Sequence, residues 1–154
     1  MKHYKIKSKN ANEIEHIQEK YQELIKTIAI TIFLDKRVNE NELYQTKEII
    51  SLFFPKKNKF FHNIFYTLVI SKLEIYQLYP SIFSDDKDNI FDFITKNYKL
   101  HKLIEKIIRS DKHISSEEKE FLKLYKEKYN EYLLKNELQN DNSINTFDIS
   151  NKIV

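Results

Sequence analysis

Apolar residues recur along this chain at helical spacing. Ile14, Ile17, Tyr21, Leu24, Ile28 and Ile32 stand three or four residues apart, on one face of a helix that starts near Asn12. The pattern stops at Leu34-Asp35. A second helix is expected from about Glu40 to Phe54, with Leu43, Ile49, Ile50 and Phe53 inward and Pro55 as its stop. Phe60 to Tyr79 is apolar nearly all round, the pattern of a central, buried helix, and Pro80 ends it. Ser84-Asp85-Asp86-Lys87-Asp88 reads as a loop with several N-caps. Helical spacing resumes through Ile90, Phe91, Ile94 and Tyr98. It continues past a bend near Asn97 through Leu100, Leu103, Ile104, Ile107 and Ile108. After a turn at Asp111 the last helix runs from about Ser116 to Leu138, with Phe121, Leu122, Tyr125, Tyr129, Tyr132 and Leu133 on one side.

No segment of useful length alternates with period two, so the expected fold class is all-α: a compact bundle of about five to seven helices. Residues 1–11 read as a basic N-terminal arm and 12–138 as the helical domain. Residues 139–154, rich in Asn, Asp and Ser, read as a poorly ordered polar tail.

Composition narrows the chemistry. The 154 residues include no glycine, no cysteine, no tryptophan and two prolines. Without glycine there is no phosphate-cradling loop, no dinucleotide fingerprint and no nucleophile elbow. Without cysteine there is no disulfide, no thiolate zinc site and no thiol nucleophile. Net charge is only +3, and Arg37 and Arg109 are the only arginines, which weighs against nucleic-acid binding. The basic start is not followed by an apolar signal core, and Ile25–Leu34 is far short of the ~20 apolar residues that span a bilayer. A cytoplasmic protein is expected.

Two turns share one pattern, D-K-x-h-x-x-x-E. The first is Asp35-Lys36-Arg37-Val38-Asn39-Glu40-Asn41-Glu42 and the second Asp111-Lys112-His113-Ile114-Ser115-Ser116-Glu117-Glu118. Each follows an apolar helix and opens another, which predicts two pseudo-symmetric helix-turn-helix halves. Asn39 with Glu42, and Ser115 with Glu118, fit a capping box, the serine better than the asparagine. Val38 and Leu43 stand at hydrophobic-staple positions, whereas in the second turn Lys119 breaks the staple. The aspartates are not explained by capping. Each sits at a helix C-terminus, where the macrodipole disfavours negative charge by a few tenths of a kcal/mol or more. Two readings remain open: hydrogen bonding to turn amides, or a divalent cation shared by Asp and Glu oxygens. Neither turn has the donor spacing of an EF-hand.

The repeated apolar helix followed by this motif resembles the TerB-like family, which includes tellurite-resistance TerB proteins and the N-terminal domain of membrane-anchored J-domain co-chaperones. The family signature is Ala-Asp-Gly-x-hydrophobic-x-x-x-Glu, twice, in an all-helical domain, and the resemblance covers about residues 20–135. It implies that the two acidic turns lie close together. It also implies a divalent metal ion at Asp35, Glu42, Asp111 and Glu118, with Ca²⁺, Mg²⁺, Zn²⁺ and Mn²⁺ all eligible. A role in stress response, including toxic oxyanions such as tellurite, and scaffolding near the membrane with a protein partner are further implications. Where the family has glycine, this chain has Lys36 and Lys112. A left-handed backbone there costs roughly 1 kcal/mol relative to glycine.

Other constellations are weaker. His101 and Glu105, four apart, read as a surface pair without a third ligand. His62 reads as a packed or partly exposed histidine of the apolar helix. Lys56, Lys57 and Lys59 beside Phe60 and Phe61 look like a single-strand nucleic-acid patch, but the rings are expected to be buried. With no catalytic constellation readable, the chain is expected to bind and not to catalyse. The alternative to the metal-binding module is a metal-free helical interaction or scaffold domain whose acidic turns are only caps.

Overall fold

The computed structural model describes residues 2–97, 99–110 and 113–141, with the backbone alone for 2–10 and 138–141. The described residues form helices and turns. In chain order the helices are α1 (Lys2–Lys20), α2 (Gln22–Ile32), α3 (Glu40–Phe53), α4 (Lys59–Leu78), α5 (Pro80–Asn89), α6 (Phe91–Lys96), α7 (Lys99–Arg109) and α8 (Ser116–Asp141). The Tyr21 amide still bonds Ile17 O, and the Ile25 amide bonds Tyr21 O. α1 and α2 are therefore one interrupted rod, and the described residues make seven helical units. The stretch expected as a basic arm is the start of α1. Of the expected polar tail, 142–154 lie outside the described residues.

The central helix is α2, not the stretch Phe60–Tyr79. From Leu24 to Leu34 it is buried all round except at Lys26, and it packs against α1, α3, α4, α5 and α7. Two threonines make that immersion possible. Thr27 Oγ1 donates to Glu23 O at 2.8 Å and Thr31 Oγ1 to Thr27 O at 2.7 Å, so neither hydroxyl is left unsatisfied.

α4 buries one face: Phe61, Phe65, Val69, Leu73 and Tyr76, spaced 4, 4, 4 and 3. Phe60, Ile75, Leu78 and Tyr79 remain exposed, so α4 is an outer helix carrying more apolar side chains than its core face needs. Asn58 caps it by accepting the Phe61 amide at 2.9 Å. The segment Ser84–Asp88, expected as a loop, belongs to α5. Pro80 stops α4 and also opens α5, because proline at the first helical position loses no hydrogen bond. Phe83 anchors α5 in the core. Tyr76 Oη donates to Asp86 Oδ2 at 2.8 Å, and Lys72 Nζ lies 3.5 Å from the same oxygen. Burial, and after it the Asp86 carboxylate, holds the Tyr76 phenol far above its usual pKa.

Each acidic turn closes a helix-turn-helix: α2 to α3, and α7 to α8. The two apolar helices that precede the turns, α2 and α7, pack on each other. α7 buries all five positions of its expected face, Leu100, Leu103, Ile104, Ile107 and Ile108. α8 is held by α6 and by ring contacts, among them Phe91–Phe121 at 5.2 Å.

Candidate functional site at the two acidic turns

α2 ends in a tight turn. The Lys36 amide bonds Phe33 O at 2.9 Å, and Lys36 has φ 60°, the left-handed region. This is the position where the resembled family carries glycine. Lysine has a Cβ, so this conformation is strained by about 1 kcal/mol. The reversal lets Asp35 Oδ1 accept the Arg37 amide at 3.1 Å. At Asp35 the carboxylate is thus held by a turn amide, which offsets its unfavourable place at a helix C-terminus.

The two helix starts that follow differ in which amide the cap side chain takes. At α8 the box is reciprocal: Ser115 Oγ accepts the Glu118 amide at 3.1 Å, and Glu118 Oε1 accepts the Ser115 amide at 2.9 Å. At α3, Asn39 Oδ1 accepts the Asn41 amide at 2.8 Å, one residue short of the box position. Val38 and Leu43 are half-buried and pack on the core, as does Ile114. Glu42 and Glu118 are 3% and 5% exposed, the only acidic residues buried among the described ones. Thr46, one turn into α3, back-bonds to Glu42 O at 2.6 Å.

Parts of both turns line one cleft of about 540 Å³. It takes Asp35, Arg37, Val38 and Asn39 from the first turn, and His113, Ser115, Ser116 and Glu117 from the second. Its lining is mixed: two carboxylates, a guanidinium and an imidazole. Of the three acidic positions singled out in the sequence that are described, Asp35, Glu42 and Glu118, only Asp35 lines it. Glu42 and Glu118 are buried at helix starts, and Asp111 lies outside the described residues, as does Lys112. Among the described residues, no three His, Asp or Glu side chains converge on a point that would hold a metal ion. Arg37 and Glu117 line the cleft although the motif did not single them out. Helical geometry separates Glu117 from Glu118: neighbours on a helix point about 100° apart, so a start that buries one exposes the other.

The other candidates resolve individually. The Glu105 charge does act on His101, but the pair is half-buried and not simply a surface one. The His101 ring packs against the Tyr125–Tyr129 pair, 4.6 and 4.4 Å from the two rings and edge-on to both. His62 Nε2 lies 2.8 Å from Phe54 O, which ties the start of α4 to the end of α3. Beside the lysines 56, 57 and 59, Phe61 is buried under Lys57, while Phe60 is exposed. No helix among the described residues is long and apolar enough to cross a membrane. No protein-family model, no curated protein and no solved structure matches this chain.

Proposed function

We propose that this chain is a metal-independent helical interaction domain of TerB-like build, in which the acidic turns cap helices and shape the cleft between them. The observation that carries this reading is the reciprocal bonding of Ser115 and Glu118. A carboxylate 5% exposed and engaged with its own helix start is committed to structure. A protein partner is supported by large apolar side chains left at the surface around the α4–α5 corner, including Leu78 at 72% exposure, Tyr79 and Ile82. The resemblance adds the setting: a cytoplasmic module in stress response, tellurite or other oxyanions included, working beside a membrane or a co-chaperone.

A second reading keeps the divalent cation. It draws on the left-handed backbone of Lys36 at the family's glycine position and on the single cleft that both turns line. Asp35 and Asp111 are its first ligands. The two readings part in a thermal melt. Wild type and an Asp35→Asn, Asp111→Asn double variant are titrated separately with Ca²⁺, Mg²⁺, Zn²⁺ and Mn²⁺. A ligand of the native state raises Tm in proportion to its binding. The metal-independent reading predicts no shift that distinguishes the two proteins. A rise in wild type that the double variant lacks establishes the cation reading instead.

A further inference from the structure

Two helix interruptions face each other at a distance from the acidic turns. α1 gives way to α2 at Tyr21 (φ −112°, ψ 24°), and α6 ends at Asn97 (φ −123°, ψ 86°). Tyr21 turns its ring into an aromatic cluster, with Phe54, Phe61 and Phe65 at 5.1, 5.7 and 5.9 Å. Asn97 closes the end of α6, with Nδ2 donating to Phe93 O at 2.7 Å. Between these breaks and the end of α3 lies an open cleft of about 540 Å³. That volume falls within the range of small-molecule sites.

The cleft is apolar below and charged above. Leu24 and Leu100 are buried beneath it, and the half-buried Phe53 and Phe93 flank it. Three ammonium groups stand at its mouth: Lys20, Lys96 and Lys99. Two carboxylates, Glu19 and Glu23, share that rim. Glu23 is drawn to Lys26, outside the cleft, at 3.4 Å. Lys96 pairs with Asp92 at 3.2 Å, but both side chains are more than half exposed, so the pair exchanges readily with a ligand anion. α7 begins at this mouth with no acidic residue in its first turn, so its dipole adds to the positive field.

We propose that this cleft binds a small amphipathic monocarboxylate. Its alkyl or aromatic body lies over Leu24 and Leu100 between Phe53 and Phe93. Its carboxylate meets the lysines at the mouth. This site is separate from the acidic turns and does not depend on their role.

Decanoate, with decanol as its uncharged counterpart, tests the proposal on the full chain by amide chemical-shift titration. Decanoate is expected to give saturable shifts at Leu24, Phe53, Phe93 and Leu100. A Lys20→Gln, Lys96→Gln, Lys99→Gln triple variant alters only exposed side chains, and an unchanged melting curve checks its fold. It should bind decanoate at least about tenfold more weakly while binding decanol as wild type does. The proposal is overturned by the absence of saturable shifts, or by shifts centred on the exposed Leu78, Tyr79 and Ile82. Undiminished decanoate binding by the triple variant overturns it equally.

Discussion

Lys36 is where the composition becomes a local fact. A chain with no glycine lacks the least costly residue for a left-handed turn, yet α2 must reverse direction before α3. The reversal is made by an exposed lysine at φ 60°. Its side chain is exposed, so the strain of about 1 kcal/mol is recoverable. Lys36→Gly is expected to raise the unfolding free energy by about 0.5–1 kcal/mol in urea denaturation, and Lys36→Ala to give no such gain. A loss of stability in the glycine variant would contradict the left-handed assignment. The position itself was legible, because the repeated motif singled out Lys36 as the replacement for a glycine. The partner of Asp35 was legible only as one of two open readings, a turn amide or a cation, because a pattern of side chains does not show which way the backbone amides point; it is the Arg37 amide.

At the scale of elements, periodicity located the helices and ranked them poorly. Phe60–Tyr79 looked central because it is dense in apolar letters, whereas α2 is the buried rod. Thr27 and Thr31 fit that burial because their hydroxyls bond to the preceding turn. Ser84–Asp88 read as a loop because its residues favour caps, but Pro80 starts a helix there and Phe83 anchors it. His101 presents the same difficulty. Its i, i+4 relation to Glu105 pointed outward, while α8 brought Tyr125 and Tyr129 against its ring. Burial lowers the pKa of His101 below that of a free imidazole, although Glu105 and the Ile94 backbone act in the opposite direction. The unfolded chain therefore takes up this proton at a higher pH than the folded one. Folding stability should fall as pH drops through the ordinary imidazole range, about 6.5, toward the lower folded value. Comparing urea unfolding at pH 7.5 and 5.5, His101→Gln should lose less stability than wild type. Equal losses would mean that His101 titrates alike in both states.

At the scale of the molecule, two helix-turn-helix units set their apolar helices α2 and α7 together and bring their turns to one cleft. The repeat in the sequence carried the two halves, and the closeness of their turns was what the family resemblance implied. Which acidic residues face the cleft was beyond it, because a capping glutamate and a ligating glutamate occupy the same motif position. Burial separates them: Glu118 lies inside its helix start, and Asp35 and Glu117 line the opening. The central claim is that Glu118 serves the fold and not an ion. It is tested most directly by the unfolding free energy of wild type and Glu118→Ala, each measured in chelator and again with 1 mM of each divalent cation, a concentration of the order that saturates moderate sites. As a cap, Glu118 should cost about 1 kcal/mol on substitution, and the same amount in every solution. A cost that emerges or grows only when a particular cation is present would contradict the account and make Glu118 a ligand.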